Sequence, residues 1–503
     1  MTKNIVWTSL KETKAEISEK IHPYFEKYGI FSTTSYYLGV MITILGGLLL
    51  IPAGIAYFID GSIVLTFCFV YPSFMSIILG LTMTLVSEKR ELYLGAAIAL
   101  AALTWLIVAI LGAIPFYLTR IYFGPHWGLT PISALFESMS GFTATGLDMY
   151  AERVEGLPRS ILFWRSLTQW VGGVGVIVLF LSVLVARSGT IAHKLYLAEG
   201  RDHRLVPSVV KTTRRIWAIY AGYTGLLILI LIAIGMPVFD SINHSMTALA
   251  TGGFSVNNNS IMAYDTLSFE IAIMPFMVIG GISFAMHYQL FLGNIKTFFK
   301  NIEVKAILVI IFISTVILAI SLGLTFESFR YGSFQVITAI TGTGFNTDAV
   351  GTYNDFQKFL LTILMIFGGG YGSTASAIKL IRVAIIFYAL IWLIRKYLLP
   401  ESVVHKMSIG NKYYSSEAIQ NVAMYVLLYL ILLVGGAMIF MYGGASGVNS
   451  LFEVASAQGN VGLSVGLTGP DMHLVEKITL IIVMWAGRLE IFPVLVLITA
   501  PFE

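Results

Sequence analysis

Charge is scarce in this sequence and cysteine almost absent, and the two shortages narrow what the chain can be. Of 503 residues only 12% are Asp, Glu, Lys or Arg, while 57% are hydrophobic. That is too few charges to solvate the surface of a water-soluble protein of this size. The one cysteine, Cys68, lies inside an apolar run, so there is neither a disulfide framework nor a cysteine metal site. Net charge is only +4, and no basic stretch is interleaved with exposed aromatics, which argues against a nucleic-acid partner. A Walker motif, a His-Glu-x-x-His pair and paired catalytic carboxylates are all lacking, so the chain is not expected to be an enzyme. Gly172-Gly-Val-Gly175 follows no strand of a βαβ unit, and no organic cofactor is expected. Met1-Thr-Lys-Asn-Ile5 does not begin a charged-then-apolar leader, so the first spanning segment is expected to direct insertion.

What is present is a series of apolar runs, many longer than the roughly 20 residues a helix needs to cross a ~30 Å hydrocarbon core. The expected fold is therefore an all-α integral membrane protein, and run lengths of this size exclude a β-barrel. Residues 1–33 read as an amphipathic cytosolic or interfacial segment. Two runs near 36–59 and 62–86 form an extra N-terminal helical hairpin within residues 34–90. Eight further runs lie near 94–118, 161–186, 215–236, 269–292, 304–324, 359–394, 418–443 and 478–500, giving about ten crossings.

Between the members of each later pair sits a short polar helix ending in a glycine turn. Phe334-Gln-Val-Ile-Thr-Ala-Ile-Thr-Gly-Thr-Gly-Phe345 is the clearest copy. Phe136-Glu-Ser-Met-Ser-Gly-Phe-Thr-Ala-Thr-Gly-Leu147, Asn243-His-Ser-Met-Thr-Ala-Leu-Ala-Thr-Gly-Gly-Phe254 and Phe452-Glu-Val-Ala-Ser-Ala-Gln-Gly-Asn-Val-Gly-Leu463 match it in spacing. The chain thus divides into four tandem repeats, 91–200, 201–302, 303–410 and 411–503. Non-helical backbone at membrane depth is tolerated only where protein buries it or water wets it, so the four turns are expected to meet in pseudo-fourfold arrangement around one pore. Carbonyl oxygens there can replace the hydration shell of a cation. The turn segments are Thr143, Ala144, Thr145 and Gly146; Ala250, Thr251, Gly252 and Gly253; Thr341, Gly342, Thr343 and Gly344; and Gly459, Asn460, Val461 and Gly462. Basic residues such as Arg214, Arg215, Lys296, Lys300, Arg395 and Lys396 crowd the loops away from the turns. Asp148, Glu152, Glu155, Asp265, Asp348 and Asp471 mark the turn side. By the positive-inside rule the turns face outward and both termini are cytosolic; the expected location is the cytoplasmic (inner) membrane.

Three further stretches, Phe163-Trp-Arg-Ser-Leu-Thr-Gln-Trp-Val-Gly-Gly-Val-Gly175, Gly369-Gly-Tyr-Gly-Ser-Thr-Ala-Ser-Ala-Ile-Lys-Leu-Ile-Arg382 and Gly487-Arg-Leu-Glu-Ile-Phe-Pro493, complete a family signature. The chain resembles the potassium-transporting membrane subunits of the Trk/Ktr/HKT superfamily, most closely the TrkH/TrkG branch. The resemblance implies potassium uptake through a channel-like pore, with Gly146, Gly253, Gly344 and Gly462 as a selectivity filter and potassium as the transported ion. In plant relatives serine at the first filter position goes with sodium transport. A gate is implied at Gly368, Gly369, Gly370, Gly372, Ser373, Thr374 and Ser376, with Arg488 projecting into the pore. Ser376-Ala377 departs from the paired glycines often seen there. The implied partners are a second copy of the chain in a homodimer, a cytosolic TrkA-like nucleotide-binding regulatory subunit, and membrane lipid. An alternative class is a proton- or sodium-coupled potassium symporter, which would need ionisable groups at the midplane.

Three readings stand on the residues alone. Glu137, His244, Gln335 and Glu453 occupy one position in the four short helices, nine residues before the glycine, and are expected to anchor the turn from behind rather than to ligate an ion. The run 359–394 would extend roughly 54 Å as one helix, too long for a straight crossing, so it is expected to break at its glycine-rich centre. Arg488, near the middle of the run 478–500, is expected to face a wet environment rather than to pair with Glu490. On one continuous helix those two residues would point to different faces.

Overall fold

Lipid offers backbone N–H and C=O groups no partner, so apolar runs of this length are stable there only as helices. The structure, a computed structural model, describes residues 30–87, 94–176, 178, 208–400, 407–409 and 412–499. It is helical almost throughout; among the described residues the strands are Ser408–Ile409 and Lys412–Tyr413, paired antiparallel. The segment expected at 1–33 lies outside the described residues except for its last four, which begin the first helix.

Helices α1 (Ile30–Phe58) and α2 (Ile63–Val86) form the N-terminal hairpin. Small residues let them close tightly: a Cβ on Gly80 would lie 2.4 Å from Gly39 O, and Ser73 Oγ donates to Gly46 O at 2.6 Å. Four groups follow in chain order. The first is α3 (Leu94–Phe123), α4 (Pro131–Phe142) and α5 (Arg159–Val174). The second is α6 (Val209–Ala233), α7 (Val238–Leu249), α8 (Leu267–Gly281) and α9 (Phe284–Phe291), with α10 (Ile295–Lys300) as its exit. The third is α11 (Ile302–Ser321), α12 (Phe326–Thr341), α13 (Asp355–Ile366) and α14 (Leu380–Leu398), and the fourth α15 (Ser416–Tyr442), α16 (Gly447–Gly459), α17 (Leu474–Arg488) and α18 (Phe492–Thr499). The short helices α4, α12 and α16 begin where Thr130, Thr325 and Ser446 accept from Ser133 N, Ser328 N and Asn449 N; α4 adds Pro131 in its first turn and α7 follows Pro237.

Six described helices are long and apolar enough to cross a membrane, eight if the bent pairs α8–α9 and α17–α18 each count once. The bends correct the sequence reading, which expects a break only in the third group. Among the described residues the second helix breaks in every group. Helix α5 stops at Gly175, φ 109°. Helices α8 and α9 meet at 107°, and α17 and α18 at 109°. In the fourth group the turn is made by Glu490 and Ile491, both at positive φ, ahead of Pro493, whose ring cannot continue the preceding helix. Arg488 and Glu490 are therefore not on one helix. Glu490 pairs with Arg382 at the start of α14, 108 residues away in sequence.

Burial is inverted relative to a soluble protein. The polar short helices are inside, with Glu137, Ser138, Ser140, His244, Gln335 and Glu453 fully buried. Phe67, Phe74 and Ile78 of α2 and Phe312 of α11 face outward, as side chains in contact with lipid do.

Candidate functional site

Each short helix ends by reversing its backbone. Ala144, Thr251, Gly342 and Asn460 all sit in the left-handed region, at φ 54°, 50°, 72° and 52°, two residues before glycines at 92°, 74°, 85° and 99°. Those glycines, Gly146, Gly253, Gly344 and Gly462, form a closed circle. A Cβ on Gly146 would lie 2.1 Å from Gly252 O, on Gly253 2.1 Å from Thr343 O, on Gly344 2.0 Å from Val461 O and on Gly462 2.3 Å from Thr145 O. Each contact is to the carbonyl preceding the next glycine, and the fourth returns to the first. Only hydrogen fits at these four positions, both for space and for φ.

Behind the ring, the residue nine positions before each glycine holds the segment that follows it. Glu137 accepts from Met149 N at 2.7 Å, and Glu453 from Val465 N at 3.0 Å and Thr468 N at 2.9 Å. His244 Nε2 bonds Ser255 Oγ at 3.0 Å. Gln335, with its amide oxygen turned to the backbone, accepts from Thr347 N at 3.1 Å and Asp348 N at 3.2 Å. Ser140 Oγ and Ser456 Oγ accept from the ring amides Gly146 N and Gly462 N at 3.1 and 3.0 Å. The threonine hydroxyls turn inward to protein: Thr143 to Thr145 and Thr341 to Thr343, both at 2.7 Å, and Thr251 to Thr374 at 3.0 Å. Backbone carbonyls are thus the oxygens nearest the ring.

Sequence reasoning missed the side chains that tie neighbouring turns together. Arg165 of α5, 1% exposed, donates to Glu137 Oε1 at 2.6 Å, Asp148 Oδ2 at 2.5 Å and Ser255 O at 3.0 Å, and its guanidinium lies 4.2 Å from the Phe254 ring centre. Gln169, one turn on, bonds both Gly252 O and Phe254 N. The available signal was a charge inside a spanning segment, which marks a paired or functional site. Removing Arg165 would leave two carboxylates facing each other in a buried site, a change that costs about 3–5 kcal/mol. Arg165→Met is therefore expected to lower the melting temperature of the detergent-solubilised protein sharply; unchanged melting would show that the cluster carries no weight.

Two spaces flank this construction. One, about 280 Å³, opens on the turn side and is lined by all four ring glycines with Asp148, Glu152, Asn257 and Asn346. The other, about 40 Å³, lies where the second helices break, among Trp105, Gly175, Ser373, Ser376 and Arg488. Part of its wall comes from the non-helical segment 367–379. That segment hangs on the ends of α12 and α8: Gly369 N donates to Ile340 O at 3.0 Å, Gly370 N to Gly281 O at 2.8 Å and Thr374 N to Gly280 O at 3.1 Å. Tyr371 N donates to Glu303 Oε1 at 2.9 Å. Arg488 reaches it from α17, donating to Thr374 O at 2.8 Å and Ser376 Oγ at 3.2 Å, and also to Gly172 O and, at 2.8 Å, Gly173 O.

A family model described as TrkH, cation transport protein, matches residues 66–502. The chain is 36% identical, over 92% of its length and 94% of the relative's, to an uncharacterized cation transporter of Methanocaldococcus jannaschii. It is 28% identical, over 94% of its length and 99% of the relative's, to the Trk system potassium uptake protein TrkH of Escherichia coli. It superposes on the crystal structure of the potassium transporter TrkH from Vibrio parahaemolyticus with a TM-score of 0.83, at 25% identity, covering 94% of this chain and 99% of that one.

Proposed function

The chain belongs to the TrkH family of cation transport proteins, the membrane subunits of Trk-type potassium transporters, and from that premise we propose that it takes up potassium through a channel-like pore whose selectivity filter is the four-glycine ring. The observation that carries this is the closed circle in which each glycine abuts the next turn's carbonyl. Four backbone oxygens gathered between an outer vestibule and an inner cavity suit the replacement of a cation's water shell. The short helices point their negative C-terminal ends at the same place, which favours positive charge. In this reading the turns face outward across the cytoplasmic membrane, both termini are cytosolic, and acidic residues at the vestibule raise the local cation concentration.

Gating follows from the same geometry. Segment 367–379 is the gate and Arg488 its latch; Glu303 and the exposed Arg395 and Lys396 in the last turn of α14 link it to the cytosolic side. A TrkA-like nucleotide-binding subunit would act there, and the pore would work as a homodimer, as the family resemblance implies. A symporter needs a second ion site near the ring, but the carboxylates of Glu137 and Glu453 are occupied by backbone amides and, for Glu137, by Arg165. Potassium and rubidium uptake by the purified protein in liposomes, with sodium competition, tests the reading. Downhill flux alone supports a pore, uphill movement a symporter, and no flux sinks both.

Gly146→Ser offers a second test. Its Cβ would be forced to within 2.1 Å of Gly252 O, displacing that carbonyl from the ring. The potassium-to-sodium permeability ratio is expected to fall about tenfold, equivalent to ~1.4 kcal/mol of lost discrimination. An unchanged ratio in a folded variant would count against the filter.

A further inference from the structure

Gln169 departs from a pattern shared by the second helices of the other three repeats. On each, or for Gly368 just past the helix end, a glycine packs against the end of the short helix of its own repeat. A Cβ on Gly172 would lie 1.8 Å from Phe142 O, on Gly280 2.9 Å from Leu249 O, on Gly368 2.3 Å from Ile340 O and on Gly487 1.9 Å from Gln458 O. Three residues earlier stand Gln169, Met277, Met365 and Met484, all fully buried. One amide occupies a position that is otherwise methionine.

The departure is matched on the facing turn. The residue before each ring glycine is Thr145, Gly252, Thr343 or Val461, β-branched everywhere except at 252. There the space is already filled, because a Cβ on Gly252 would lie 2.5 Å from Gln169 Cδ. The amide straddles Gly253: Nε2 donates to Gly252 O at 2.6 Å and Oε1 accepts from Phe254 N at 2.9 Å. Gly252 O is one of the four oxygens that close the ring. Among the described residues, Thr145 O, Thr343 O and Val461 O receive no such bond.

We propose that Gln169 is a specificity-determining positioning residue, which sets cation discrimination by sharing the Gly252 carbonyl that the ion would otherwise meet undiminished; this rests on reading the ring as the filter. An N–H held against a carbonyl oxygen places positive charge beside it and so offsets part of the negative potential that the oxygen offers a cation. The strength of that dipole field is one determinant of which cation a carbonyl ring prefers. A weaker field recovers less of the large dehydration cost of sodium and so favours potassium. The ring then has three free oxygens and one shared, and its preference is tuned from outside by a side chain that never touches the ion.

The test measures potassium and sodium permeability of the full-length protein in liposomes for wild type, Gln169→Met and Gln169→Glu. Methionine is accommodated at the three equivalent positions, so Gln169→Met should still pass potassium, with a potassium-to-sodium ratio lowered about 2- to 10-fold, the range one neutral hydrogen bond commands. Gln169→Glu keeps an acceptor for Phe254 N but, ionised, has no donor for Gly252 O, and should lower the ratio too. At acidic pH the protonated carboxyl regains a donor, and the ratio should recover relative to wild type at the same pH. A purely structural role would move melting temperature or total flux and leave the ratio untouched. A wild-type ratio in folded Gln169→Met, or in folded Gln169→Glu throughout a pH series that reaches alkaline pH, overturns the proposal, and the isosteric glutamate carries the test alone if the methionine variant does not fold. A wild-type protein that passes no potassium would instead defeat the filter reading itself.

Discussion

Deleting residues 369–373 is expected to raise potassium flux in the absence of any partner by about 5- to 150-fold, the span of a coupling energy of 1–3 kcal/mol, with little change in the potassium-to-sodium ratio. The deleted residues include Gly369 and Gly370, whose amides bond Ile340 O and Gly281 O, and Tyr371, whose amide bonds Glu303. They thus hold the segment to its own repeat, through Ile340 and Glu303, and to the second repeat, through Gly281. Their loss need not unfold the protein. The stem is closed by Ile378 N donating to Ile366 O at 2.9 Å, so the two ends already lie together and a shorter loop can join them. The ring glycines and their anchors are untouched, which is why selectivity should survive while closure does not.

A partner can shift such a gate only by its differential affinity for the closed and open arrangements. In the deletion variant those arrangements no longer differ much, so an activated partner should add little further flux. A well-folded deletion variant whose flux stays low and still rises fully with the partner would rule this gate out.

How far the sequence revealed this site depended on whether a constraint was local. The ring was legible because each turn carries its own requirement: a positive-φ glycine followed by a large apolar residue, nine residues after a polar anchor, four times over. The break in 359–394 was legible because the run is too long for the bilayer. The breaks at Gly175, between Gly281 and Phe284, and at Glu490 were not. Those runs have the length of a single crossing, and just before the breaks Gly172, Gly280 and Gly487 pack against short-helix carbonyls, a contact that no local pattern announces. Pro493 was a signal for the last of them that went unread. Partners distant in sequence were equally hidden. That Arg488 and Glu490 do not pair was expected, but not where Glu490 goes: the positive φ of Glu490 and Ile491 turns the chain, and the carboxylate meets Arg382, whose guanidinium also lies 4.2 Å from the Tyr425 ring centre.

Arg488→Ala is expected to raise partner-independent flux at least tenfold. The guanidinium joins three repeats at the level of the inner cavity, bonding Gly172 O and Gly173 O of the first repeat and Thr374 O and Ser376 Oγ of the third from a helix of the fourth. Hydrogen bonds to a charged group contribute about 1.5–3 kcal/mol each. If even one of them exists only while the segment is closed, removing it shifts the equilibrium toward the open state by roughly 10- to 150-fold. A second effect has the same sign, since the positive charge also repels a cation in the cavity. Lysine separates the two, because it keeps the charge and loses the planar fork that reaches four acceptors. Should Arg488 act chiefly as a latch, Arg488→Lys will leak nearly as much as Arg488→Ala; should repulsion dominate, lysine will stay close to wild type. Equal basal flux in wild type and Arg488→Ala would remove the residue from the gate altogether.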